Sequence, residues 1–230
     1  MATTLTLISS MATKALLADL TAQFSRQHPD ITVQVESVGG VDAARRVQAG
    51  ERFDVVALAS NAIEQLLGEG HLSPGSRIDM VRSGVAMAVK AGVPHPDVGS
   101  EETLKQAVLA APTLGYSTGP SGVQLARLFE RWGIAEQIRD RIVTAPPGVP
   151  VGSLVAKGEV ALGFQQLSEL MNLPGIEVLG GLPEPIQIVT TFSAARGAHS
   201  ASPAVADALL AFLSSPATMA IKRQHGMDPA

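Results

Sequence analysis

The chain has 230 residues with a net charge of −4, 46% hydrophobic but only 3% aromatic residues, and no cysteine. That length holds one large α/β domain or two lobes of about 100 residues each. The absence of like-charge runs and of basic–aromatic clusters excludes nucleic acid as a partner. The missing cysteines exclude disulfides and thiolate chemistry, and no apolar run reaches the ~20 residues that cross a bilayer, so no membrane segment is expected.

In chain order the apolar pattern alternates between periods near 2 and near 3.6. Residues 4–8 read as a strand, 13–27 as a helix, 31–35 as a strand, 42–49 as a helix, 55–59 as a strand, 62–69 as a helix and 81–89 as a long strand. Pro94-His95-Pro96 breaks the pattern and marks passage into a second lobe. There 101–111 reads as a helix, 113–116 as a strand, 121–132 and 134–142 as helices, 145–150 as a turn, 151–157 as a helix, 159–164 as a strand and 168–171 as a short helix. A strand at 186–192 returns to the first lobe, and helices at 205–213 and 216–225 close the chain. Such alternation predicts a mostly parallel sheet covered by helices.

Three strand-to-helix junctions are rich in Ser, Thr and Gly. Ser9-Ser10-Met11-Ala12-Thr13 follows the first strand, Glu36-Ser37-Val38-Gly39-Gly40-Val41 the second, and Tyr116-Ser117-Thr118-Gly119-Pro120-Ser121-Gly122 the strand of the second lobe. A helix opening there presents unpaired backbone N–H groups and a positive dipole end, which together attract a small anion. Each junction also has a structural reading, since Ser and Thr are ordinary N-caps and Gly serves turns that need positive φ. The turn at 117–122 is the densest, and Gly119→Val is expected to distort its backbone.

Other residues compete for roles. Arg82 and Ser83 stand at the start of the expected long strand, where Arg82 either clamps a carboxylate in bidentate fashion or is a solvated strand-end charge. Gln165 and Gln166 alternate at a strand end, so at most one faces a pocket easily, and Thr190 and Thr191 share that ambiguity. His28, His71, His95, His199 and His225 show no metal-ligand pairing. No nucleophile elbow, phosphate loop or dinucleotide fingerprint occurs in its required context, and neither metal nor cofactor is called for. For proton transfer the candidates are Tyr116, Asp42 and Glu169, none favoured over the others; Asp42 also reads as a helix cap and Glu169 as a surface charge.

The order of Ser9-Ser10, Gly39-Gly40-Val41-Asp42, Phe53-Asp54-Val55-Val56-Ala57-Leu58-Ala59-Ser60 and the ending Gly226-Met227-Asp228-Pro229-Ala230 resembles the molybdate-binding-protein-like members of the type II periplasmic-binding-protein fold. The resemblance runs over essentially the whole chain. It implies two α/β lobes joined by two crossing strands, one lobe expected at 1–84 with 190–230 and the other at 85–189, closing over an anion in the cleft between them. By position it places Ser9, Ser10, Gly39, Gly40 and Val41 toward the ligand from one lobe, and Ser117, Thr118, Gly119, Ser121 and Gly122 from the other; Met11, Ser60, Arg82 and Gln165 are further candidates for binding. Where molybdate binders usually carry a serine at the second turn, this chain has Gly39-Gly40, which removes a hydroxyl donor. The segments 117–122 and Gly163-Phe164-Gln165-Gln166-Leu167-Ser168-Glu169-Leu170 are instead similar to the subgroup that includes aconitate isomerase. Glycine turns with polar amides suit a planar polycarboxylate better than a compact tetrahedral ion.

Two function classes follow. One is an isomerase that binds an unsaturated polycarboxylate and performs a 1,3-allylic proton shift, with fixed N–H and hydroxyl groups stabilising the developing dienolate. The other is the non-catalytic solute-binding protein of a molybdate-type transporter, which requires export. Met1-Ala2-Thr3-Thr4 enters the first strand with neither a basic nor an apolar leader region, so as written the chain is expected in the cytoplasm, or in the periplasm if a leader has been removed.

Overall fold

The computed structural model describes residues 3–146 and 148–230; Met1, Ala2 and Pro147 lie outside the described residues, and with them the leader reading of Met1-Ala2 and the middle of the 145–150 turn. The chain runs β1 (Thr3–Ser10), α1 (Lys14–Gln27), β2 (Ile31–Val38), α2 (Gly40–Gln48), β3 (Val55–Ala59), α3 (Ser60–Gly68) and β4 (Ile78–Lys90). It continues α4 (Glu101–Ala110), β5 (Leu114–Ser117), α5 (Pro120–Arg131), α6 (Ala135–Ile138), β6 (Ile142–Ala145), α7 (Val151–Lys157), β7 (Leu162–Gln166), α8 (Leu167–Leu170) and β8 (Ile176–Gly181). It ends β9 (Val189–Arg196), α9 (Pro203–Ser214), α10 (Met219–Gln224) and β10 (Asp228–Pro229). Two compact units result, one of Met1–Arg82 with Thr191–Ala230 and one of Ser83–Thr190, and the chain passes between them within β4 and β9.

In the first unit β1 pairs in parallel with β2, from Thr3↔Ile31 to Ser10↔Val38, and with β3, while β9 runs antiparallel to β3 and β10 antiparallel to the start of β4. Every residue of β3 is buried because helices cover both faces of this sheet, as expected of a central strand in a largely parallel arrangement. Alternation sends Leu5, Leu7, Val55 and Ala57 to one face, against Leu17, Leu20 and Phe24 of α1 and Leu209 and Leu213 of α9. Ile8, Val56 and Leu58 go to the other, against Ala43 and Val47 of α2 and Ile63 and Leu66 of α3. Each large apolar side chain so buried contributes roughly 1.5–3 kcal/mol.

Asp54 ties β1 to the strand beside it. Its carboxylate accepts from the Thr6 N–H (2.9 Å), the Thr6 hydroxyl (3.1 Å) and the Ser200 hydroxyl (2.6 Å). Burial pushes this carboxyl up, but the donors from Ser200, Thr6 and Ala201 outweigh it and hold the group below its ordinary value of 3.8. A depressed carboxyl stabilises the fold above its unfolded value, and that contribution is lost as pH falls through the folded one. Asp54→Asn is therefore expected to cost about 1–2 kcal/mol near neutrality, in denaturant titrations, and less in acid.

In the second unit β5 lies between β6 and β7, parallel to both, and β4 runs antiparallel to β7 and β8. Val85, Met87, Leu114, Leu162 and Phe164 pack on one face with Leu125 and Phe129 of α5. On the other face α7 comes close because glycines lie beneath it. A Cβ on Gly163 would fall 2.5 Å from Val155 of α7, and one on Gly115 3.2 Å from Val151 of α7 and 2.7 Å from Val160 just past it.

Several boundaries differ from the pattern reading. The single helix expected over 134–142 is α6 followed by a 3-10 turn and β6; Ile134, Ile138 and Ile142 repeat every four residues and mimic one helical face, but Ile142 begins a strand parallel to β5. The return strand expected over 186–192 is displaced to Val189–Arg196, because Glu184–Ile186 forms a 3-10 turn opened by Pro183. The strand expected at 159–164 is β7, which begins three residues later and ends two later, after the left-handed Gly158 that ends α7. β4 begins at Ile78, so Arg82 and Ser83 sit inside it rather than at its start. Among the described residues no single helix is long and apolar enough to cross a membrane.

Candidate functional site

In the first unit the polar groups gather at the C-terminal ends of β1 and β2. Parallel register sets Ser9 beside Ser37, and their hydroxyls are 2.8 Å apart, so Ser9 is already engaged. Ser10 is 93% buried (7% exposed) and its hydroxyl has no hydrogen-bond partner among the described residues; it opens the 3-10 turn Met11–Thr13 without capping it. An unpaired buried hydroxyl costs about 1–3 kcal/mol unless something satisfies it. The next turn lies against it, since a Cβ on Gly40 would fall 3.5 Å from the Ser10 Cβ. Gly39 is the N-cap of α2 with no side chain to cap it, and Val41 in the first turn is 42% exposed although apolar. Ser60 opens α3, again with no capping side chain before it. Arg82 is exposed and one guanidinium N–H donates to the Pro229 carbonyl at 3.2 Å, which fastens β10 to β4.

In the second unit Gly119 is the N-cap of α5 and Pro120 its first residue. Pro at that position gives up an N–H that would be unpaired anyway. The Ser121 and Gly122 N–H groups then follow with no side-chain cap, and the buried Ser121 hydroxyl has no partner among the described residues. Thr118 is exposed, and the Gly119 N–H leans on the Ser117 hydroxyl at 3.4 Å. None of Gly39, Gly40, Gly119 and Gly122 has positive φ, so the turn reading of these glycines is corrected. What one of them requires is space: a Cβ on Gly122 would fall 1.7 Å from the Ser117 carbonyl oxygen, whereas one on Gly119 meets only the Ser117 hydroxyl at 3.5 Å. The steric demand expected at Gly119 thus belongs to Gly122.

The end of β7 supplies amides to the same unit. Gln165 and Gln166 point to opposite faces, as alternation requires. The Gln165 oxygen accepts from the Gly152 N–H of α7 at 3.4 Å, and its nitrogen donates to Glu169 Oε1 at 2.8 Å. The Gln166 nitrogen donates to the Thr190 hydroxyl at 2.9 Å, while its oxygen is buried and unpaired. Ser83, on the same face two residues along β4 from Val85, the partner of Gln166, also has a buried unpaired hydroxyl. The sequence offers Ser83 only through its place beside Arg82 and does not single out Gly152; β4–β7 pairing and the seating of α7 give them neighbours.

The three proton-transfer candidates separate clearly. Asp42 lies in the first turn of α2, three residues from its N-cap Gly39, so it is not the cap; Arg45 stands 3.9 Å away and both are well exposed. Burial pushes the Tyr116 phenol above its ordinary value of 10, and its ring packs on Phe129 at 6.2 Å. Glu169 is half-buried rather than a surface charge; burial pushes its carboxyl up to about 7, against the opposing pull of the Gln165 hydrogen bond. Among the histidines, His71, His95 and His225 each pair with a carboxylate, and no group of three metal-ligating side chains occurs among the described residues. A separate cavity of about 280 Å³ in the first unit, lined by Val47, Phe53, Val56, His71, Gly197 and His199 among others, contains none of the junction residues.

Comparison with known proteins agrees with this architecture. Residues 5–228 match the family model described as bacterial extracellular solute-binding protein. An aconitate isomerase from a Pseudomonas species is 34% identical over 235 residues, covering 99% of this chain and 88% of that protein. The fold is shared with the periplasmic molybdate-binding protein of Azotobacter vinelandii (TM-score 0.82, 20% identity, 98% of this chain and 99% of that one). It is shared also with a tungstate-binding protein of Desulfovibrio alaskensis (TM-score 0.71, 16% identity, 100% and 99%). Two α/β units linked through two shared strands, with glycine–serine helix openings at their strand ends and a family match over nearly the full length, place the chain in the bacterial extracellular solute-binding protein family.

Proposed function

We propose that this protein binds an unsaturated polycarboxylate and isomerises it by a 1,3-allylic proton shift. The observation that carries the reading is the 34% identity to an aconitate isomerase over 99% of the chain, far above the likeness to the molybdate and tungstate binders. The geometry suits it. The Ser10 hydroxyl, the Ser121 hydroxyl and the uncapped N–H groups of α5 offer donors without a counter-charge, which is what a carboxylate or a developing dienolate needs. Gly39 and Gly40 bring no hydroxyl donor to this turn, and Gly40 lies close to Ser10, where a Cβ would fall 3.5 Å from the Ser10 Cβ. Incubation with cis-aconitate in D₂O, followed by proton NMR, is expected to show trans-aconitate appearing with deuterium incorporated.

A second reading, a solute receptor without turnover, is favoured by the family itself. Thermal-shift measurements with molybdate, tungstate, sulfate, citrate and both aconitates separate the two, because a ligand that binds only the folded state raises the melting temperature. Stabilisation by the oxyanions alone, with aconitate unchanged in D₂O, would establish the receptor. The cytoplasm is the location proposed here, against the extracellular description of the family, and cell fractionation of the native host tests it.

On either reading Ser121→Ala removes one charge-assisted hydrogen bond to the anion. Its expected cost is about 1.5–3 kcal/mol, roughly ten- to hundredfold in Kd by calorimetry. Unchanged affinity would place the anion elsewhere.

A further inference from the structure

We infer that Glu169 is the catalytic group that carries the proton between the two ends of the substrate's allylic system, with Gln165 as the residue that positions it. This deepens the isomerase reading and rests on it.

The argument begins with the Gln165 amide. Because the Gly152 N–H can only donate, the atom facing it is the amide oxygen, and the amide nitrogen therefore faces Glu169. Glu169 Oε1 is thus committed as an acceptor in either protonation state. Oε2 has no partner among the described residues and is not sealed from solvent. One oxygen is fixed by an anchored amide and the other is free to meet a small molecule.

The pair also stands beside the anion-attracting turn of its own unit. β5 and β7 pair in parallel at Leu114↔Leu162 and Gly115↔Gly163, and two residues beyond that last pair β5 reaches Ser117 and β7 reaches Gln165, so both strands run out toward the same end of the sheet. Past Ser117 come the Gly119 N-cap and the unpaired Ser121 hydroxyl; past Gln165, at the start of α8, comes Glu169. Donors for a carboxylate and a base therefore issue from neighbouring strand ends. Among the described residues no cation neutralises Glu169: its hydrogen-bond partner is an amide, and burial is what raises its carboxyl. A base poised near neutrality can both take and return a proton. Tyr116, pushed up by burial, is too weak an acid to be ionised there, and Asp42 is exposed beside Arg45.

The step balances without a further reactant. The Glu169 carboxylate takes a proton from the substrate methylene; the C–H pair delocalises through the adjacent double bond into a carboxylate, giving a dienolate. The protonated Glu169 exchanges with solvent at its open side and then delivers a proton, deuterium when the solvent is D₂O, to the far carbon. A new C–H bond forms, the double bond moves one position, and Glu169 is a carboxylate again.

The test compares wild type with Glu169→Gln, whose amide oxygen still accepts from Gln165. Wild type is followed first for aconitate interconversion and deuterium uptake in D₂O; the variant is followed identically, with cis-aconitate affinity measured by calorimetry and folding by circular dichroism. A loss of turnover of at least ~100-fold with Kd within about threefold supports the assignment. Glu169→Ala, which removes the accepting oxygen as well, is expected to be equally inactive. A variant with more than a tenth of the wild-type rate overturns the assignment while leaving the isomerase reading intact, as does a parallel loss of rate and affinity. A wild-type protein that binds aconitate without converting it overturns both.

Discussion

Replacing Gly122 with alanine is expected to destabilise the protein by about 3 kcal/mol or more and, if the proposed anion site lies at the α5 junction, to remove binding there. The added Cβ would lie 1.7 Å from the Ser117 carbonyl oxygen, 2.9 Å from the Ser117 carbonyl carbon and 3.2 Å from the Tyr116 ring. Real Cβ contacts are not shorter than about 3.0 Å, and the atoms met first are backbone. They cannot swing aside, because Ser117 is the last residue of β5 and is held in register with Ala145 of β6. Relief would have to come from α5, yet that helix is anchored through Leu125, Leu128 and Phe129 in the core. Overpacking of this kind costs about 1–3 kcal/mol where side chains can yield, and more where they cannot. Gly119→Ala is the control: its φ of −71° suits any residue and its Cβ meets nothing closer than 3.5 Å, so it is expected to be neutral or slightly stabilising. Denaturant titrations of both variants decide the matter; equal losses would mean that the turn, not the close approach, demands glycine.

The contrast between these two glycines shows where sequence reading stops. The run from Ser117 to Gly122 announces a helix opening after a strand, because Pro and Gly punctuate the apolar pattern on either side. Which glycine is irreplaceable depends on how steeply α5 meets β5, and no local pattern encodes that angle. Ser9 and Ser10 make the same point: as adjacent serines they read alike, but parallel pairing gives Ser9 to Ser37 and leaves Ser10 unpaired. Elements with strong periodicity, such as β3 and α1, were legible because burial on one or both faces selects their residues. β8 and β10 were not. β8 ends in Gly180-Gly181 beside an irregularity in its pairing with β4, and β10 has only two residues, so neither carries an alternating pattern of its own. The four-residue spacing of Gln165 and Glu169 was visible, but the burial that changes the acidity of Glu169 comes from tertiary packing.

That burial predicts a pH-dependent stability. Glu169→Gln is expected to match wild type at pH 4.5 or below and to exceed it by about 2–3 kcal/mol at pH 8. The folded carboxyl titrates at about 7 and the unfolded one near 4.5, so the folded state binds the proton more tightly. A raised carboxyl contributes its stability below the unfolded value, and that contribution is lost as pH rises toward the folded one. At about 1.4 kcal/mol for each pH unit the full difference is near 3 kcal/mol, and partial solvent access lowers it. The glutamine cannot ionise, yet it can accept from Gln165, so the variant escapes the cost above pH 7 without losing the contact. Chemical denaturation of both proteins between pH 4.5 and 8 measures the difference directly. A difference that stays flat with pH would remove burial as the origin of the raised carboxyl. A rising one means that wild type retains an ionised, poorly solvated carboxylate at a cost to its stability, the exchange expected where a group is kept for chemistry rather than for packing.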